Sequence, residues 1–247
     1  MRGFSSFSLL NCLIERIRQQ HLLKAIIFDC DGVIADTEPI HMAAFGRVLA
    51  EEDITLIEED YFDQYLALDD RGCFIKAFAA RGDSLTPDQI TERIRRKAGY
   101  VERAMQANLQ LMPGAAELIR RAAECYPLAV ASGALRAEIE LILNYGGFRD
   151  CFRAIVSAED VVRSKPYPDP FIKALELLNL STIDRIEPRE CLVIEDSIHG
   201  INAAHQAAMR CLAVTNSYPR ERLSEAEIVV DSLAGVSLQD IESLFDA

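Results

Sequence analysis

The chain has 247 residues, half of them apolar, and 39 acidic against 26 basic side chains give a formal net charge of −13. That length suits one large domain or a core carrying an insertion. The acidic balance argues against nucleic acid and anionic membrane surfaces as partners, and no apolar run approaches the ~20 residues that cross a bilayer.

Cysteine usage points the same way. Cys12, Cys30, Cys73, Cys125, Cys151, Cys191 and Cys211 contain no Cys-x-x-Cys pair and no spacing with histidine that suits zinc. They read as reduced thiols in a cytoplasmic protein.

Residues 1–23 read as an N-terminal extension. Leu10, Leu13, Ile14 and Ile17 recur at helical spacing, while Phe7 to Leu13 is too broken for a secretory signal. A segment packed on the core and an unstructured start both stay open, with a transit peptide as the minor alternative. Ala25 to Phe28 is a short apolar run that reads as a buried strand, and it ends in Asp29-Cys30-Asp31-Gly32. Residues 38–108 then look helical throughout. Met42, Phe45 and Leu49 open the segment, Phe74, Ile75 and Phe78 mark a second patch, and Thr86-Pro87 with Gln89 forms a capping box. The helix behind that box carries an apolar stripe of Ile90, Ile94, Ala98, Val101 and Met105.

From Met112 onward strand and helix alternate. Helices are expected to Ala123, over Leu135 to Tyr145, Asp169 to Leu178, Ile198 to Ala208 and Gly235 to Phe245. Strands are expected at Leu128 to Ala131, Ala154 to Val156, Cys191 to Ile194, Cys211 to Val214 and Ile228 to Val230. Repeated strand–helix units predict an α/β fold with a doubly wound parallel sheet.

Right-handed crossovers bring the strand ends to one edge, and the polar groups sit at those ends. Asp29 and Asp31 follow the first strand, Ser132-Gly133-Ala134 the second, and Glu195-Asp196 the fourth, while Lys165 lies in a proline-rich loop. Each has an ordinary explanation: a polar turn, a solvated lysine, an acidic helix cap. Taken together they make chemical sense. Carboxylates from two strand ends with a backbone carbonyl form a hard oxygen site that suits Mg²⁺. A serine, two amides and a lysine beside it would hold a phosphoryl group, and an ionised aspartate can attack phosphorus.

Four ordered segments resemble the motifs of the haloacid dehalogenase superfamily, in the capped branch related to β-phosphoglucomutase and phosphoglycolate phosphatase. They are Asp29 to Glu38, Ala131-Ser132-Gly133, Ser164-Lys165-Pro166 with Pro168-Asp169-Pro170, and Ile194 to Gly200. The resemblance implies a Rossmann-like core over 24–37 and 109–247 with a helical cap over 38–108. It implies Asp29 as nucleophile and Asp31 as general acid and base. Mg²⁺ would be held by Asp29, the Asp31 carbonyl and Asp196, with Glu195 as a further ligand or a supporting group. Lys165, Ser132 and the Gly133 and Ala134 amides would grip the phosphoryl group, Thr37 and His41 would steady Asp31, and Arg71 would meet the distal part of the substrate. The implied activity is a Mg²⁺-dependent phosphomonoester hydrolase acting on a small phosphorylated metabolite, sugar phosphates included, as a monomer. Two alternatives stand beside it. A phosphomutase would place Lys-Asn where Leu135 and Arg136 stand, and a non-catalytic binding module would keep the fold alone.

Overall fold

The computed structural model describes residues 22–66 and 68–246. The helix expected around Leu10 to Ile17 lies outside them, as does Cys12. Six strands form one parallel sheet: β1 Ala25–Phe28, β2 Leu128–Ala131, β3 Phe152–Val156, β4 Cys191–Glu195, β5 Arg210–Val214 and β6 Ile228–Val230, in the order β3-β2-β1-β4-β5-β6. The central strands are apolar throughout because both their faces are covered. Ile26, Phe28, Leu128, Val130, Leu192 and Ile194 face one core, and Ala25, Ile27, Ala129, Ala131, Cys191 and Val193 face the other. This two-residue alternation sends successive side chains to opposite sides of the sheet.

The helices α5 (Ala115–Ala123), α6 (Arg136–Tyr145) and α9 (Leu238–Ser243) supply the first core, and α7 (Asp169–Asn179) and α8 (Ile198–Gln206) the second. The last helix is shorter than the Gly235 to Phe245 span expected. Ser237 caps it, accepting from the Asp240 amide at 3.1 Å, so the chain before Ser237 is not helical. Among the described residues no helix is long and apolar enough to cross a membrane.

Between β1 and α5 stand four helices: α1 Glu38–Ala50, α2 Glu58–Gln64, α3 Asp70–Ala80 and α4 Pro87–Asn108. The predicted capping box opens α4, with Gln89 N–H donating to Thr86 Oγ1 at 3.3 Å and Thr86 N–H to Gln89 Oε1 at 2.9 Å. These helices have their own apolar centre. Phe45 is buried there, with the rings of Phe74, Tyr65 and Tyr61 at 5.2, 5.3 and 6.3 Å from its own. The short α2 carries no apolar stripe to predict it and is held by Tyr61 entering this cluster. Two strands of chain join the block to the sheet. They run side by side, with Asp36 N–H donating to the Gln110 carbonyl and Met112 N–H to the Ile34 carbonyl, both at 2.9 Å.

Because the helical block is centred on aromatics that do not touch the sheet, Phe45→Ala should cost about 3–5 kcal/mol locally. Hydrogen exchange followed by mass spectrometry should show α1 and α3 losing protection while β1, β2 and β4 keep theirs. Equal loss in the sheet would mean that the two centres unfold as one.

Candidate active site

The order of strands reverses between β1 and β4, and in open α/β sheets ligands bind beyond the carboxyl ends at such a point. Asp29 follows β1 and stays in the ladder, its N–H donating to the Ile194 carbonyl at 2.9 Å. Glu195 ends β4 and Asp196 follows it. Carboxylate oxygens of Asp29, Glu195 and Asp196 all lie within 4.8 Å of one another, and all three side chains are buried. Lys165 reaches them from the loop between β3 and α7. Its ammonium donates to Asp29 Oδ1 at 2.7 Å and to Glu195 Oε1 at 2.5 Å.

Glu195 is fully committed. Its Oε2 accepts from the amides of Asp196 and Ser197 at 3.0 Å and from Ser197 Oγ at 2.9 Å. The start of α8 presses on it so closely that a Cβ at Gly200 would stand 1.8 Å from the carboxyl carbon. Glu195 therefore holds Lys165 in place and has little left to offer a cation. Asp196 points the other way, toward the loop after β1, and takes a hydrogen bond from Ser217 Oγ. Gly32, at φ +70°, lets that loop pass: a Cβ there would lie 1.9 Å from Asp196 Oδ2. Asn216 Nδ2 donates to the Gly32 carbonyl at 2.6 Å and fixes the loop.

Asp31 stands apart from this cluster. Its carboxylate accepts from Thr37 Oγ1 at 2.6 Å and from Ser132 Oγ at 3.1 Å, with His41 Nε2 at 3.7 Å. Ser132 Oγ also accepts from the Ala134 amide at 3.0 Å, so that amide is engaged, whereas the Gly133 N–H makes no hydrogen bond among the described residues. His41 in turn lies 3.0 Å through Nδ1 from the ammonium of Lys97, a buried residue of α4 that pairs with Asp70. Arg71 is exposed at the edge of the cleft. Its acidic neighbours are engaged elsewhere: Asp69 caps the Gly72 amide at 2.7 Å and Asp70 takes Lys97.

Asp29, Asp31, His41, Arg71, Ser132, Lys165 and Asp196 line one cleft of about 380 Å³ between the sheet edge and the helical block. Its lining includes polar residues that were not among the sequence candidates, Ser217, Lys97 and Glu138 among them. Ser217 follows β5, so the strand-end rule that selected Ser132 could have found it. Lys97 sits on the stripe face of α4 among apolar residues, and nothing local distinguishes it.

The charges are unbalanced. Burial pushes the Asp29 carboxyl up to about 7, against the opposing pull of Lys165 and with help from Glu195 and Asp31. Burial likewise raises Asp196 well above the usual carboxylate range, reinforced by Glu195 and Asp29. Burial alone would lower Lys165, but Asp29 and Glu195 more than offset it and its pKa is raised. Asp31 behaves oppositely. Burial works to raise it, yet His41, Thr37 and Ser132 together bring it down to about 2, so it is ionised in this arrangement. Asp29 and Asp196, with an Asp31 carbonyl that accepts no hydrogen bond among the described residues, form a hard oxygen donor set, and three clustered carboxylates with one lysine leave it short of positive charge.

A carboxyl that holds its proton to about 7 when folded, against an ordinary 3.8, favours folding less and less as pH rises through that window. In the presence of a chelator, Asp29→Asn should therefore be more stable than the parent chain at pH 8 by roughly 1–3 kcal/mol, and the gain should vanish near pH 4. Urea unfolding at both pH values measures this. A variant less stable than the parent at pH 8 would show that the Lys165 contact outweighs carboxylate crowding.

Known proteins resemble this chain. A family model described as "Haloacid dehalogenase-like hydrolase" matches residues 26–214. Protein CbbY of Rhodobacter capsulatus is 30% identical over 230 residues, covering 90% of this chain and 99% of that protein. The chloroplastic 5-amino-6-(5-phospho-D-ribitylamino)uracil phosphatase of Arabidopsis thaliana is 38% identical over 120 residues, covering 49% of this chain and 31% of that protein. Among solved structures, CbbY from Rhodobacter sphaeroides in complex with xylulose-1,5-bisphosphate aligns with a TM-score of 0.77 at 26% identity, covering 87% of this chain and 96% of that one.

Proposed function

This chain belongs to the haloacid dehalogenase-like hydrolases, and we propose that it is a Mg²⁺-dependent phosphatase that hydrolyses a small phosphomonoester through an aspartyl phosphate. The observation that carries the reading is Lys165 held between Asp29 and Glu195, with Asp196 beside them and Ser132 facing Asp31. Mg²⁺ would be held by Asp29, Asp196 and the Asp31 carbonyl, and it would supply the positive charge that this acidic edge lacks and that a phosphoryl dianion needs.

The chain's own groups divide the remaining work. Lys165, Ser132 Oγ and the Gly133 amide bind the phosphoryl oxygens and hold phosphorus in line with an Asp29 carboxylate oxygen. Attack by that oxygen forms the aspartyl phosphate and breaks the bond from phosphorus to the leaving oxygen, which takes a proton from Asp31. Water then attacks the same phosphorus and gives a proton to Asp31, releasing inorganic phosphate and regenerating Asp29. The ionised Asp31 of this structure is the form that accepts the proton from water. Phosphate binding prepares the other form. It draws the Ser132 hydroxyl away from Asp31 and adds negative charge nearby, and both changes raise the affinity of Asp31 for a proton. In this reading the helices over 38–108 act as a cap, hinged at the paired connections near Asp36 and Met112, that closes over the leaving group.

Two residues argue against a mutase. Leu135 lines the cleft and has no donor for a second phosphate. Arg136 is turned away, donating to Asp160 Oδ2 at 2.6 Å and to the Ile155 carbonyl at 3.1 Å.

The purified chain should release phosphate from p-nitrophenyl phosphate only when magnesium is present, and Asp29→Asn should lower the rate by roughly three orders of magnitude or more. Undiminished turnover in the folded variant would remove Asp29 as nucleophile. Arg71→Ala should raise KM for a preferred natural phosphomonoester by roughly tenfold, the cost of one hydrogen bond from a charged donor, and leave KM for the aryl phosphate nearly unchanged. Equal effects on both substrates would mean that Arg71 serves the fold or the reacting phosphoryl group instead.

A further inference from the structure

The half of the cleft that would receive the leaving alcohol carries more acids than free cations. Glu38 of α1, Asp69 and Asp70 at the head of α3, and Glu138 of α6 all line it, against Lys97 and Arg71. Lys97 is not available, because it donates to Asp70 and lies against His41. Arg71 is exposed, whereas Glu138 is only 8% exposed. One oxygen of Glu138 accepts from the Leu135 amide at 3.0 Å, and the other accepts no hydrogen bond among the described residues. Glu38 gives one oxygen to the Tyr61 hydroxyl at 2.5 Å. The wall that meets the leaving group thus presents hydrogen-bond acceptors, and Glu138 is the buried one among them.

The second Glu138 oxygen opens onto the cleft and can accept from a donor that enters it. Hydroxyl groups are such donors. A second phosphate is the reverse: it brings acceptors and two negative charges. Like charges brought together in a partly buried setting repel more strongly than they do in water. Asp70 and Lys97 offset each other, so the exposed arginine at the rim faces Glu38 and, deeper, Glu138.

We infer, building on the phosphomonoester-hydrolase reading above, that the leaving alcohol is rich in hydroxyl groups and carries no second phosphate, and that Glu138 enforces this choice. Glu138 does so by accepting from a hydroxyl of the leaving group and repelling an anion in the same place. It is a specificity residue and takes no part in the transfer itself.

The test is kcat/KM of the full chain with magnesium for three compounds: p-nitrophenyl phosphate, fructose 6-phosphate and fructose 1,6-bisphosphate. The monophosphate should exceed the bisphosphate by at least tenfold. In Glu138→Gln, which keeps the shape and removes the charge, the ratio of bisphosphate to monophosphate should rise by about tenfold. A wild-type chain that turns over the aryl phosphate and prefers the bisphosphate overturns the inference and leaves the phosphatase reading standing. No release from any of the three overturns both. A folded Glu138→Gln with an unchanged ratio removes Glu138 from the selection. The wild-type ratio decides the substrate class whether or not the variant folds.

Discussion

The structure turns on the contact of one lysine with two carboxylates from adjacent strand ends. Asp29 and Glu195 are brought together because β1 and β4 are neighbours in the sheet, and Lys165 donates to both. Burying Asp29, Glu195 and Asp196 within a few ångströms of one another is unfavourable in a low dielectric. Lys165 offsets part of that cost, and the amides at the start of α8 offset more at Glu195. The remainder is left over as unbalanced negative charge. That surplus makes the site chemically useful, since a divalent cation and a phosphoryl group can enter it as a pair. It also explains two local features that carry no chemistry themselves. Gly200 and Gly32 are needed because Glu195 and Asp196 occupy the space where their side chains would be.

A second network links the helical block to the reacting edge. Asp31 is gripped by Thr37 and Ser132 and faced by His41, which in turn leans on Lys97 and, through it, Asp70. Thr37 and His41 lie at the start of α1, and Lys97 and Asp70 belong to α4 and α3. The protonation state of the proposed acid and base is thus tied to where the helical block sits. Lys97 lies against His41 Nδ1, and the other ring nitrogen, Nε2, faces Asp31 at 3.7 Å. A shift of the block that withdrew His41 would remove one of the three groups that keep Asp31 ionised.

Much of this was legible in the linear chain. Four-residue apolar runs that stop at a polar group marked the strands, and the groups at their ends marked the site. The capping box at Thr86 and Gln89 fixed the start of α4 without reference to anything distant. Other features left weaker traces. The helix α2 is acidic and without period, and exists because Tyr61 fits an aromatic cluster assembled from three helices. The closing helix is shorter than expected because Ser237 caps its start.

By itself, the order of residues determined which groups meet at the sheet edge. A parallel sheet with right-handed crossovers can deliver its strand ends to one side only. Asp29, Ser132, Glu195 and Asp196 are near one another as a consequence of topology. Tertiary structure decided what each group does there. Whether Glu195 faces a cation or a lysine depends on the loop that brings Lys165 across, 30 residues earlier in the chain. Whether Arg71 is free depends on Asp69 and Asp70 finding other partners. Whether the wall beyond the phosphoryl group is acidic depends on Glu38, Asp70 and Glu138 converging from three helices. Roles of this kind are set by pairings across space. An electrostatic environment is a sum over all neighbours, and a sequence shows only those adjacent along the chain.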